Sequence, residues 1–119
     1  MDIAPADLAL FEARATEIAR ILRSLANERR LMIVCKLVEW GEANVGTLAD
    51  AVGLSQSALS QHLAKLREDG VVATRRESQT IWYRIEDVRV EQLLAALHGL
   101  FCKPDHPHEP EIRISCESA

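Results

Sequence analysis

The side chains with the greatest chemical potential in this chain are its three cysteines, Cys35, Cys102 and Cys116. The thiolate is the form of cysteine that attacks other sulfur atoms, and it needs solvent access and a depressed pKa. His98, one helical turn before Cys102, could lower the pKa of that thiol. A structural disulfide framework is not expected from three cysteines in a chain that we expect to be cytoplasmic. Redox chemistry, metal binding and simple burial as small apolar residues are the alternatives.

Two predicted helices carry Cys35 and Cys102. Asn27 is a good N-cap for a helix from Glu28 to about Trp40, in which Cys35 lies on or beside an apolar stripe at helical spacing. A last helix is predicted from Val88 to Cys102, where Lys103 and Pro104 end it. Cys116 falls in the proline-containing segment 104–119, which we expect to be a flexible tail.

Between these helices lies a helix-turn-helix pattern. Asn44 caps a short helix that ends at Gly53, and Ser55 caps a second helix running to about Glu68. Serine and glutamine side chains on the outer face of the second helix suit base edges and phosphates in a major groove. An ordinary solvated helix face is the alternative. The candidate DNA contacts are Gln56, Ser57, Ser60 and Gln61, with His62 near the edge of the apolar stripe.

Two runs rich in β-branched and aromatic residues follow, 71–75 and 80–85, and they predict a β-hairpin. The candidate contacts to the DNA backbone or minor groove are Arg76, the first residue of the charged tip 76–79, and Arg75 just before it. A solvated charged loop is the alternative. A polar helix followed by a basic hairpin is a known way of reading duplex DNA.

The segments LSQSALSQHLAKLREDGVV and IWYRI resemble the ArsR/SmtB family of winged-helix repressors, over about residues 8–103. The resemblance implies a mainly α fold with a small β-hairpin, in which four helices, the hairpin and a fifth helix form a winged helix-turn-helix. It also implies a homodimer through the first and last helices, bound to two-fold symmetric operator DNA. A heptad seam along the first predicted helix, from Leu8 to Leu25, agrees with a helix–helix contact.

The segments ANERRLMIVCKLVEWGE and LLAALHGLFCKP resemble the SqrR/BigR/HlyU-type branch of the family, which responds to sulfide or oxidants. That resemblance implies that Cys35 and Cys102 form a redox switch. A persulfide or oxidant would convert the two thiols into an intraprotomer polysulfide or disulfide and release the operator. Cys116 has no place in this pattern.

A metal-responsive member of the same family is the alternative function. One metal site of this family uses two closely spaced cysteines on the helix that corresponds to 44–53, and this segment contains no cysteine. Another uses paired Asp and His residues at the start of the last helix with further His or Glu residues along it, and the last helix here carries a single histidine, His98. Cys102, His106 and His108 remain as a candidate zinc site, but their spacing is borderline and the two histidines lie in the proline-containing tail. We therefore predict no metal site and no cofactor. Glycine-rich phosphate loops, nucleophile elbows and paired buried carboxylates are not recognisable, so an enzyme is not expected.

Charge is distributed unevenly along the chain. The whole sequence has a net charge of −4, but residues 55–85 carry five basic against three acidic residues, and residues 104–119 carry one against four. The basic segment coincides with the predicted DNA-binding region. No apolar run approaches the ~20 residues of a membrane span, and we expect a cytoplasmic protein with one folded domain, 1–103, before the tail.

Overall fold

The computed structural model describes residues 4–102. The predicted tail, with Cys116 and the zinc candidates His106 and His108, lies outside the described residues. Within 4–102 the chain forms six helices and three strands in the order α1 (Pro5–Ala13), α2 (Ala15–Leu25), α3 (Glu28–Trp40), β1 (Ala43–Asn44), α4 (Val45–Val52), α5 (Gln56–Glu68), β2 (Val72–Glu77), β3 (Thr80–Ile85) and α6 (Val88–Phe101).

Local capping sets the bounds of the helices, as the sequence predicts. The Asn27 side chain accepts a hydrogen bond from the Arg30 backbone N–H at 3.1 Å, and Asn44 accepts one from Thr47 at 2.9 Å. Gly53, at the end of α4, has a φ of 71°, in the left-handed region that glycine adopts without strain. The predicted bounds of α3 and α4 are confirmed.

The N-terminal helix differs from the prediction. The apolar seam from Leu8 to Leu25 predicts a single helix, whereas the structure begins α1 at Pro5 and divides the segment at Arg14, whose φ and ψ are −105° and 10°. The two halves have different surroundings: α1 contains no buried residue, while the end of α2 is anchored by the buried Ser24 and Leu25. Nothing in the sequence at Arg14 itself forces the break.

The sheet has one strand more than the predicted hairpin. β1 pairs antiparallel with β3, so that the order is β1-β3-β2 and the hairpin is tied to the segment that precedes α4. β2 extends to Glu77, which pairs with Thr80, and leaves a two-residue turn in which Ser78 has a φ of 60°. Sequence reasoning missed β1 because a strand of two residues carries almost no periodicity.

The core lies where α3, α4, α5 and the base of the hairpin meet. Its fully buried large side chains include Ile33, Leu37, Leu48, Leu59, Leu63, Leu66, Val71 and Val90. The apolar stripe predicted on this helix consists of Leu59, Leu63 and Leu66, all of which are buried, so the core fixes which face of α5 is turned outward. Within 4–102, no helix is both long and apolar enough to cross a membrane.

A second apolar surface is left uncovered by the chain itself. Large apolar side chains of the N-terminal helices and of the end of α6 are 45–60% exposed. We call this set the terminal apolar surface: Leu8, Leu10, Phe11, Leu22, Leu100 and Phe101. Single exposed apolar residues are ordinary, but such a group on the helices at the two ends of the described chain is typical of a protein–protein contact.

Candidate nucleic-acid interface and thiol sites

The helix-turn-helix is built from α4 and α5. The Leu54 backbone N–H donates to the Ala49 carbonyl at 3.0 Å and closes the turn after α4. Ser55 then caps α5, because its Oγ accepts a hydrogen bond from the Ala58 N–H at 3.1 Å. These short local contacts hold α5 at a fixed angle to α4, and buried leucines fix its rotation about its own axis.

The outer face of α5 carries the predicted polar side chains. Gln56, Ser57, Ser60 and Gln61 are all exposed. These four are bonded through their side chains to no other part of residues 4–102. Their donors and acceptors are therefore available to an external partner, and side chains of these types can pair with base edges or phosphate oxygens.

His62 occupies a different environment from these four side chains. It is half-buried, and its Nδ1 accepts a hydrogen bond from Arg30 Nε at 3.4 Å. Arg30 also donates to the Ser24 carbonyl at 3.3 Å and so links α5 to the end of α2. His62 thus has an internal partner, and its predicted DNA contact stays a prediction.

The two wing arginines differ sharply in their surroundings. Arg75 binds Glu42 through two contacts, Nε to Oε2 at 2.6 Å and Nη2 to Oε1 at 3.0 Å. Its guanidinium also lies 5.7 Å from the centre of the Trp82 ring. Arg76, by contrast, is exposed and forms no ion pair with any residue of 4–102. Of these two arginines, Arg76 is the one without an ion-pair partner among residues 4–102.

Glu42 is the residue of this interface that sequence reasoning did not identify. The hydrogen bond from Arg75 holds the pKa of the Glu42 carboxyl below its ordinary value, so the group stays ionised at neutral pH. It lies 33 residues from Arg75 in the chain. Because its partner is brought close only by the β1–β3 pairing, no local signal in the sequence points to it.

Cys35 lies on the inner side of α3 and is a free cysteine. It is half-buried and packs against the core. Burial raises the pKa of its thiol, while the neighbouring Lys36 lowers that pKa and Glu39 raises it. The thiol is therefore mostly protonated at neutral pH, and its reaction with an electrophile depends on a minor thiolate population.

Cys102 lies at the other thiol position, as the C-cap of α6. Its backbone N–H donates to the His98 carbonyl at 2.9 Å, and the residue is half-buried. Cys102 is disulfide-bonded and Cys35 is free, so the two are not joined to each other in this structure. The Cys35–Cys102 pairing stays a prediction.

Residues 4–102 contain no cluster of three or more His, Cys, Asp or Glu that could hold a metal ion.

These features define the class of the protein as a winged helix-turn-helix DNA-binding regulator. The family model of the bacterial regulatory proteins of the arsR family matches residues 27–74, which run from the cap of α3 into β2. The transcriptional activator HlyU of Vibrio cholerae is 45% identical over 100 residues, 84% of this chain and 92% of HlyU. This chain therefore belongs to the ArsR family, in its HlyU/BigR branch.

Solved structures agree with that assignment. Reduced HlyU from Vibrio cholerae has a TM-score of 0.72 at 45% identity, covering 78% of this chain and 97% of that one. The transcriptional repressor BigR from Xylella fastidiosa has a TM-score of 0.75 at 44% identity, covering 85% and 99%. The homodimeric winged helix-turn-helix domain of Mb0332 from Mycobacterium bovis has a TM-score of 0.64 at 32% identity, covering 87% and 96%.

Proposed function

We propose that this chain is a homodimeric transcriptional repressor that binds two-fold symmetric operator DNA and is released by reaction of Cys35 and Cys102 with persulfides or oxidants. The observation that carries the DNA-binding part is the outer face of α5, where four polar side chains are exposed with no internal partner. In this proposal Gln56, Ser57, Ser60 and Gln61 contact the major groove, and Arg76 contacts the backbone beside it.

Dimerisation is supported by the terminal apolar surface. Leu10 is 57% exposed, Phe11 55% and Leu100 60%, and a second copy of the chain would remove such side chains from water. Two α5 helices related by a two-fold axis must lie about 34 Å apart to enter successive major grooves of one DNA face. The packing of the terminal helices would therefore control DNA affinity, because it sets that spacing.

The redox part rests on the family branch and on the places of the two cysteines. Cys35 belongs to α3, which packs within the core, and Cys102 ends α6, which also carries the exposed Leu100 and Phe101. A covalent link between these cysteines would tie the core to the proposed dimer surface. A change of ~1–3 kcal/mol in the balance between binding and non-binding packings alters affinity about five- to 150-fold.

The chemistry is a pair of sulfur exchanges. One cysteine thiolate attacks the outer sulfur of a low-molecular-weight persulfide and expels that molecule's thiol, which leaves a protein persulfide. The second cysteine thiolate then attacks the inner sulfur of the protein persulfide and expels hydrogen sulfide, which forms the disulfide. If both cysteines have become persulfides, the same step leaves one additional sulfur in the bridge.

A binding titration tests the proposal. Fully reduced protein is titrated by fluorescence anisotropy against a duplex selected from a random library, with a scrambled duplex as reference. Persulfide, peroxide, zinc and a chelator are then added in separate experiments. Persulfide is expected to release the duplex, and Cys35→Ser and Cys102→Ser should bind the duplex but not respond. Release by zinc alone would favour the metal-responsive alternative, and failure to prefer any duplex would contradict DNA reading.

A further inference from the structure

The ion pair between Glu42 and Arg75 joins the wing to the segment that follows α3. Both nitrogen–oxygen contacts, at 2.6 and 3.0 Å, use one edge of the guanidinium. A paired approach to one guanidinium edge is also how arginine binds phosphate most strongly. The Glu42 carboxylate therefore occupies the atoms of Arg75 that a DNA phosphate would use.

The sheet explains why the two side chains meet. Trp82 lies on the central strand β3, paired with Asn44 of β1 on one side and with Arg75 of β2 on the other. Arg75 extends over the Trp82 ring toward β1, where Glu42 immediately precedes the strand. The aromatic face supports the guanidinium in this position.

The wing does not depend on this ion pair for its place in the fold. Ala43 and Val72 are 2% exposed and anchor β1 and β2 in the core, and backbone pairing joins both strands to β3. The Glu42 and Arg75 side chains keep 30% and 46% of their surface exposed. Ion pairs exposed to water contribute little to stability, so the partner of Arg75 can be exchanged without unfolding the hairpin.

We propose that Glu42 limits the affinity of this protein for DNA by competing with phosphate for Arg75. The wing then offers Arg76 to phosphate, while Arg75 is held by Glu42 at 2.6 Å and contacts Glu77 at 3.5 Å through its other edge. Phosphate contacts supply most of the sequence-independent binding energy. A competing carboxylate weakens that contribution and leaves the base contacts of α5 unchanged, so Glu42 lowers the affinity for selected and random duplexes alike. This inference rests on the DNA interface proposed above.

Glu42→Gln tests the inference, since it removes the charge and keeps the size of the side chain. The variant should bind both selected and random duplexes more tightly and by a similar factor, because a phosphate contact does not depend on base sequence. The slope of log affinity against log salt should steepen by roughly 0.9 for each wing that gains a phosphate contact. In an Arg75→Gln background, Glu42→Gln should have no such effect, because no guanidinium is left to release.

Glu91→Gln is the matched control. Glu91 is an exposed carboxylate of α6 that forms no ion pair with any residue of 4–102, so its removal changes the net charge equally and releases no arginine. Weaker binding by Glu42→Gln, an equal gain with Glu91→Gln, or a gain that persists without Arg75 would each overturn the inference. If the unmodified protein binds no duplex at all, it is the proposed DNA-binding function that fails.

Discussion

Replacing Arg76 with alanine should weaken DNA binding through charge alone. Arg76 is exposed, and within 4–102 it has no ion-pair partner, so its full charge is available to a phosphate. Loss of one phosphate contact lowers the salt slope by roughly 0.9, and a dimer with two wings would lose about 1.8. Over a fourfold rise in salt, from ~50 to ~200 mM, the affinity gap between variant and parent should therefore shrink by roughly tenfold.

The assay is fluorescence anisotropy with one selected duplex at four salt concentrations, after circular dichroism has established that the variant is folded. Arg89→Ala is the control, because Arg89 is already paired with Asp87 at 2.7 Å and with Glu17 at 3.0 Å. Its salt slope should equal that of the parent. An unchanged slope for Arg76→Ala would refute the reasoning, as would an affinity loss confined to duplexes altered at one base position.

Three further predictions concern the thiol, the dimer and the α5 cap. Burial raises the pKa of Cys35, so its alkylation by iodoacetamide, followed by mass spectrometry, should accelerate at higher pH than in the unfolded chain. Alkylation should be faster in Glu39→Gln and slower in Lys36→Gln, because Glu39 raises that pKa and Lys36 lowers it. The opposite order would contradict these charge effects. Phe11→Glu should sediment as a monomer in analytical ultracentrifugation and bind DNA more weakly than the parent. An unchanged dimer would show that the terminal apolar surface is not the dimer interface. Ser55→Ala should lower the free energy of unfolding in urea by about 1 kcal/mol, whereas Ser55→Asp should retain it.

The features that the sequence predicted well depend on neighbouring residues. Asn27, Asn44 and Ser55 each satisfy a backbone N–H three residues along the chain, so their side-chain types mark the helix starts directly. The apolar stripe of α5 likewise determined its outer face. For the same reason, the four polar candidates on that face could be chosen without knowledge of the tertiary structure.

The features that sequence reasoning missed depend on distant residues. Glu42 and Arg75 are partners only because β1 joins the hairpin as an additional strand, and a strand of two residues has no recognisable pattern. His62 likewise meets Arg30 across 32 residues, through the packing of α5 on α3. Arg75 and Arg76 are adjacent residues of the same type, so the sequence alone could not show that Arg75 forms an ion pair and that Arg76 forms none within 4–102.

The dithiol switch can be tested by locating the sulfur link formed in DNA-bound dimers. Equal amounts of 14N- and 15N-labelled reduced protein are mixed, bound to the selected duplex and treated with a persulfide donor, and the cross-linked peptides are identified by mass spectrometry as DNA release is followed. We predict a Cys35–Cys102 link within chains of a single isotope that forms at the rate of release. Release with Cys35 unmodified, or with links only through Cys116, would contradict the account.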